Sequence, residues 1–171
     1  MSYTAPFESA RLTLRPFTPQ DMEPAMAFYA SERGFWHGAG PKLGAPRAWR
    51  VCAILLGQWQ IHGWGVYTMT ETTTGRAVGS VGPFFPPDHP EVEIGWSVWP
   101  DDAEGKGYAA EGARAVIDRF LGVFGWDTLV SYIDPVNTRS VALAERLGAT
   151  RDDTAPRPHP DDVVYRHRLL P

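Results

Sequence analysis

A chain of 171 residues with 43% hydrophobic and 21% charged residues has the size and balance of one soluble globular domain over 1–171, and its seven Trp, eight Phe and six Tyr bring enough apolar area to fold without cross-links. Cys52 is the one cysteine, which excludes an internal disulfide and a Cys-only metal site. A net charge of −4 without a basic run argues against a nucleic-acid surface and fits a cationic acceptor, the lack of a long apolar run argues against a membrane span, and the first six residues lack the parts of a secretory signal, so a cytoplasmic protein is expected.

Arg11-Leu12-Thr13-Leu14-Arg15 alternates in character before Pro16 and predicts a strand with Leu12 and Leu14 inward. Thr18-Pro19-Gln20-Asp21 supplies an N-cap, a proline at the first helical position and a first-turn carboxylate, opening a helix to about Ala30 with Met22, Ala25, Met26 and Tyr29 as its apolar stripe. The stretch 34–46 is rich in Gly and Pro and reads as a loop, in which Phe35, Trp36 and His37 form either a pocket wall or a cover over the core edge. Ala48, Val51, Cys52, Leu55 and Trp59 recur at helical spacing and end before Gly63.

Strands over 65–69 and 77–81 flank a polar turn as a hairpin. A Pro-rich stretch, 83–90, separates them from a strand over 91–99, in which Val92, Ile94, Trp96 and Val98 face one way and Glu91, Glu93, Gly95 and Ser97 the other. Ala113, Val116, Ile117, Phe120, Leu121 and Phe124 mark the clearest amphipathic helix, with Arg114 and Asp118 paired on its outer face. A strand over 128–133 follows, then a helix capped by Asn137 with Val141, Ala144 and Leu147 inward and Gly148 at its end. After a loop over 152–162, a last strand is expected over 163–169.

The segment Glu104-Gly105-Lys106-Gly107-Tyr108-Ala109 lies between a strand end and a helix start, where unpaired amides meet the positive end of the helix dipole. Gly105 and Gly107 remove the Cβ atoms that keep an anion away, and Lys106 adds positive charge, so an anion site is expected; an ordinary Gly-rich turn is the plainer alternative. The Walker pattern is absent, but Gly105-x-Gly107-x-x-Ala110 matches a relaxed dinucleotide fingerprint, leaving an NAD-dependent oxidoreductase open. Against that reading stand the long entry from Pro100 to Glu104 and the upstream hairpin.

The same segment resembles the acetyl-CoA loop of the GCN5-related N-acetyltransferase (GNAT) superfamily, Gln/Arg-x-x-Gly-x-Gly/Ala, at Gly107 and Ala109, and departs from it at Glu104. Glu93-Ile94-Gly95-Trp96, Glu111-Gly112-Ala113, Arg11-Leu12-Thr13-Leu14-Arg15-Pro16 with Asp21, and Asn137-Thr138-Arg139-Ser140 with Leu147-Gly148-Ala149 resemble the subgroup of ribosomal-protein N-terminal acetyltransferases. The resemblance implies an α/β fold of the α+β kind: a central mixed, mostly antiparallel sheet flanked by helices, with splayed central strands forming the acetyl-CoA cleft.

It also implies that acetyl-CoA is the cosubstrate, held by Val98, Trp99, the Glu104 to Ala109 loop, Asn137 and Ser140, with no metal. The backbone amide of Val98 polarises the thioester carbonyl, and Ser140 or a water protonates the leaving thiolate, because Ala144 stands where many relatives carry a tyrosine. An alkyl ammonium with a pKa near ~10 must lose a proton before attack. Glu93, sharing a strand face with Ser97 across Gly95, is the candidate base or amine anchor, with a solvated strand glutamate as the alternative. Trp36, His37, Glu93 and Ser97 are expected at the acceptor; the other histidines, His62, His89, His159 and His167, lack metal-ligand spacing and read as surface or loop residues. The expected activity is transfer of an acetyl group to a small-molecule or peptide amine. A non-catalytic acyl-CoA-binding protein is the second reading, and exposed edge strands with abundant Trp allow a homodimer.

Overall fold

The computed structural model describes residues 2–38 and 40–169. Eight strands, β1 (Phe7–Glu8), β2 (Leu12–Pro16), β3 (Tyr67–Glu71), β4 (Ala77–Phe84), β5 (Glu93–Val98), β6 (Leu129–Ile133), β7 (Thr150–Arg151) and β8 (Val163–His167), form one sheet in the order β1-β2-β3-β4-β5-β6-β8-β7. Every neighbouring pair is antiparallel except β5 and β6. That single parallel pair removes the doubly wound sheet on which an NAD reading of the glycine loop depends.

Helices α1 (Met22–Tyr29) and α2 (Gly44–His62) pack on one face, where Ala25, Phe28, Tyr29, Ala48, Cys52 and Leu55 join Phe17, Val66 and Trp99 in one core cluster. Helices α3 (Tyr108–Ile117) and α4 (Thr138–Arg146) cover the other face, where Val116, Ile117 and Phe120 meet Leu12, Leu14, Met69 and Ile94. Gly112 lets α3 lie close to the sheet: a Cβ there would come within 2.5 Å of Met69 Sδ and 3.1 Å of Val81 Cγ1.

The feature that shapes the site is the parting of β5 from β6. Strand β5 follows β4 from Gly79↔Val98 to Phe84↔Glu93, but it meets β6 at one register point, Glu93↔Val130. Just past that point Ser131 Oγ donates to the Ile94 carbonyl at 2.8 Å, a side chain taking the place of a ladder bond. Because the Ser131 hydroxyl has one proton, His167 Nε2–H must donate to Ser131 Oγ, 3.0 Å away, leaving Nδ1 as a buried acceptor without a partner. Burial pushes the His167 pKa down to about 4, with Arg114 adding to the effect, so the ring is neutral. The expectation of a surface or loop position for His167 is therefore corrected: it is an inward residue of β8 beneath the splay.

Other departures have local causes. Strands β1 and β7 are two residues each, too short to show alternation. The loop expected over 34–46 is partly ordered: a 3-10 helix spans Glu32–His37, and α2 starts at Gly44 with Pro46 in its first turn, where a missing N–H costs nothing. Ala39 within that stretch, like Met1, Leu170 and Pro171, lies outside the described residues. The helix expected from Pro19 opens as a 3-10 turn, Pro19–Asp21, before α1, the strand expected over 91–99 narrows to Glu93–Val98, and that expected over 163–169 ends at His167. The expected Arg114–Asp118 pairing is replaced. Helix α3 widens into a π-helical stretch at Asp118–Val123, which changes the i,i+4 spacing, and Arg114 Nη2 donates to the Leu147 carbonyl at 2.7 Å, where a cation suits a helix C-terminus.

Asp21 fastens α1 to the sheet. Its carboxylate accepts both arms of the Arg15 fork at 2.7 Å, the Thr18 N–H at 2.9 Å and the Thr68 hydroxyl at 2.9 Å. Burial alone would raise its pKa, but the Arg15 fork and these hydrogen bonds outweigh burial and hold it below its ordinary value. Asp21→Asn is expected to lower unfolding stability by about 3 kcal/mol, since it strands a charge that had a buried partner. The check is a lower urea midpoint at unchanged slope. In the wild type this contribution is complete above the unfolded carboxylate pKa of about 3.9 and is lost as pH falls through the lower folded value.

Candidate active site

The splay opens a cavity on each side of β5. One, of about 550 Å³, is bounded by Val98, the loop Glu104 to Ala109 and the start of α4; the other, of about 480 Å³, lies between β5, α2 and the segment carrying His89. Trp36, His37, Trp96 and Ser97 line both, so the two cavities join at the point where β5 and β6 separate.

The first cavity is walled by an anion cradle. Gly105 and Gly107 adopt φ of 77° and 83°, left-handed values that disfavour a Cβ. Gly107 is the N-cap of α3 and offers no side-chain cap, so the first-turn amides face the cavity without a protein acceptor. Arg11 braces the loop from outside: its Nη1 donates to the Lys106 carbonyl at 3.1 Å and its Nε pairs with Glu111 at 2.7 Å. The Tyr108 ring turns away, its hydroxyl donating to Glu71 at 2.8 Å, which leaves its amide as the part suited to a ligand. Lys106 does not line the cavity and stands 3.9 Å from Asp102.

Glu104, the departure from the family pattern, carries a specific role. It pairs with Arg33 Nε at 2.9 Å and with Arg139 Nη1, placing two guanidinium groups beside the cradle. Arg33 also donates to the carbonyls of Val98 at 2.7 Å and Trp99 at 2.8 Å, tying the end of β5 to the loop. Trp99 N–H donates to Val78 on β4 at 2.9 Å, and since alternate residues turn their amides to opposite sides, Val98 N–H points into the splay. Asn137 Oδ1 accepts from Ser140 N–H at 3.2 Å as a helix cap, and both residues line the cavity. Ala144 is fully buried with Ile133, Val163 and Tyr165, so the position four residues past Ser140 faces the core and not the cleft.

On the other side Glu93 enters the second cavity from β5, its side chain 19% exposed. Its pKa is pushed up to about 8, by burial first and by the nearby Asp162 carboxylate second. One oxygen, Oε1, lies 3.9 Å from where a Cβ on Gly95 would sit; the other, Oε2, stands 3.3 Å from His89 Nδ1. Ser97 Oγ accepts from Trp99 Nε1 at 3.0 Å and shares a hydrogen bond with Ser80 Oγ at 2.9 Å. His37 packs edge-on against Phe28 and Tyr29, and burial takes its pKa down to about 4.

The structure thus gathers Val98, Glu104, Gly105, Gly107, Tyr108, Ala109, Asn137 and Ser140 around one cavity and Glu93 with Ser97 at the other, with Trp36 and His37 at the junction. Trp99 and Lys106 are the exceptions: Lys106 stands outside, and Trp99 shares the parity of Ser97 and is buried against Phe17, so that neither lines a cavity. Sequence reasoning missed Arg33, Arg139, Tyr132 and Asp162, which reach the site from distant segments. His89 lies in a loop, as expected, but the loop turns it inward. Its side chain is 12% exposed, because the Pro-rich segment folds back between Phe84 and Tyr132.

The architecture is a mostly antiparallel mixed sheet parted at one parallel pair, with an amide cradle suited to an anion at the opening. The family model of the acetyltransferase (GNAT) domain matches residues 11–150. An acetyltransferase from Agrobacterium tumefaciens str. C58 is 38% identical, with a TM-score of 0.87 over 96% of this chain and 95% of that one. Two further structures share the fold at 14% identity: the ribosomal-protein-S5-alanine acetyltransferase of Vibrio fischeri, with a TM-score of 0.65 over 96% of each chain, and the spermidine N-acetyltransferase of Vibrio cholerae in complex with CoA and spermine, with a TM-score of 0.67 over 92% and 94%. The chain belongs to the GNAT acetyltransferase family.

Gly107→Ala places a Cβ in a left-handed conformation that costs about 1–2 kcal/mol. The expected result is a roughly tenfold or larger rise in the Kd for CoA by calorimetry, with α3 otherwise intact by circular dichroism.

Proposed function

We propose that this protein transfers the acetyl group of acetyl-CoA to a primary amine by direct attack. The observation that carries this reading is the meeting of two cavities at Trp96 and Ser97, beside Val98, one walled by backbone amides and the other by a carboxyl group.

The residues present suit such a cosubstrate. The Gly105 to Ala109 amides fit a pyrophosphate, and Asn137 and Ser140 lie where a pantetheine arm would run. Acetyl-CoA supplies the activated acetyl group. Val98 N–H is the donor for negative charge developing on the thioester oxygen, and Arg33, by holding the Val98 carbonyl, fixes that amide in place. Ser140 or a water serves the departing thiolate. Asp88 and Asp162 outnumber Arg47 around the second cavity, and Glu93 adds a third carboxylate once it ionises near pH 8, which favours a cationic acceptor such as an alkylamine or a peptide N-terminus. Glu93 takes the proton that the amine must lose.

The test is CoA thiol release with a panel of primary amines. With Glu93 as the base, kcat rises about tenfold per pH unit below its pKa of about 8 and levels above it. Glu93→Gln is expected to lower kcat by about 10²-fold and flatten the profile. A profile unchanged by the substitution removes Glu93 from the mechanism.

A further inference from the structure

We infer that His89 is the second member of a proton relay, taking from Glu93 the proton that the acceptor amine gives up and delivering it to solvent. The inference rests on the reading of Glu93 as the base. Its carrier is the orientation of the Glu93 carboxyl. Oε1 lies over Gly95, where the strand has no side chain and the second cavity runs toward Ser97, while Oε2 stands 3.3 Å from His89 Nδ1. The two oxygens therefore face different neighbours, the reaction junction on one side and an imidazole nitrogen on the other.

The surroundings fit a transfer group better than a filler. His89 is gripped edge-on by Phe84 and Tyr132, ring centroids 5.4 Å away on both sides, which fixes the imidazole plane. Its Nδ1 is buried and has no hydrogen-bond partner among the described residues, while the side chain as a whole keeps 12% exposure. One nitrogen thus stands beside the carboxyl, and the side chain is not sealed from solvent.

Neighbouring charged groups act on both members of the pair. Asp88, next to His89 in the same segment, pulls its pKa up, and Asp162, from the 152–162 loop, raises that of Glu93. Glu91, the other carboxylate of this strand face, is held by the Arg166 fork at 2.7 and 2.9 Å, and Tyr132 OH accepts the Glu91 N–H. Burial lowers the His89 pKa, against the opposing pull of Asp88, while Glu93 is raised to about 8, so the imidazole, neutral at rest, holds the proton only in transit, uphill from the carboxylic acid.

The step balances. The acceptor ammonium loses a proton to Glu93 Oε1 and becomes the free amine. Glu93, now a carboxylic acid, passes a proton from Oε2 to His89 Nδ1 and is a carboxylate again. The imidazolium releases a proton from its outer nitrogen to water, and its two neutral tautomers re-equilibrate through solvent. No oxidant, metal or covalent intermediate takes part.

His89→Phe keeps an aromatic ring between Phe84 and Tyr132 but cannot take a proton. With the amine of highest turnover in the panel, the relay predicts at least a tenfold fall in kcat, a displaced pH midpoint and an unchanged Kd for CoA. Histidine-ring nitrogen NMR on the full chain supplies a readout that needs no acceptor. It should show His89 carrying its proton on Nε2, with an inflection near the Glu93 pKa of about 8 that Glu93→Gln abolishes. A His89→Phe protein within twofold of wild type at every pH, alongside a Glu93→Gln protein that has lost activity, overturns the relay and spares the base. If Glu93→Gln is as active as wild type, the base reading fails and the relay falls with it. If no amine in the panel is turned over, a His89 titration that ignores Glu93→Gln overturns the relay.

Discussion

Strands β5 and β6 run side by side for one register point and then part, and everything that gives this molecule a site follows from that parting. A continuous sheet would have satisfied the amides of β5 on both edges. Here β4 satisfies one edge and the other opens onto a cleft, so the strand presents unpaired polar backbone without unravelling. The parting is held at its base by the bond from Ser131 to the Ile94 carbonyl, itself supported by buried His167, and at its far end by Arg33 on the Val98 and Trp99 carbonyls. Side chains hold the strand where a neighbouring strand otherwise would.

Electrostatics divide the cleft into two environments. Around the glycine cradle, the α3 dipole, Arg33 and Arg139 favour an anion, and Glu104 holds the two guanidinium groups in place. Across the junction the balance reverses: Asp88 and Asp162, joined by Glu93 above its raised pKa of about 8, give the second cavity a negative wall. Under the proposed function, an anionic acyl carrier and a cationic acceptor would be drawn to opposite mouths of one passage. Burial would serve that chemistry too, since it raises Glu93 toward the range in which a carboxylate accepts a proton from an amine.

How much of this was legible in the sequence depended on whether a signal was local. The glycine loop declared itself because two glycines between a strand and a helix have few other uses, and strict alternation put Glu93 and Ser97 on one face of β5. Trp99 was misassigned as a cofactor contact although the same alternation sends it with Ser97 to the α1 and α2 side. His89 was illegible because a Pro-rich stretch has no periodicity, and only the fold-back between Phe84 and Tyr132 brings it to Glu93. Glu104 looked like a defect until Arg33 and Arg139, from opposite ends of the chain, were seen to meet on it. The burial of Ala144 against Ile133, Val163 and Tyr165 was not legible either, because it depends on how α4 packs on the sheet.

The central claim is that the splay, and not either cavity alone, is the reaction centre. A crystal structure of the protein with bound acetyl-CoA tests it most directly. The account predicts pyrophosphate oxygens about 3 Å from the amides between Gly105 and Ala109, and the thioester oxygen about 3 Å from Val98 N, with the acetyl methyl turned toward Ser97 and Glu93. Acetyl-CoA bound with its thioester away from the end of β5, or with its pyrophosphate elsewhere than the glycine cradle, would contradict it.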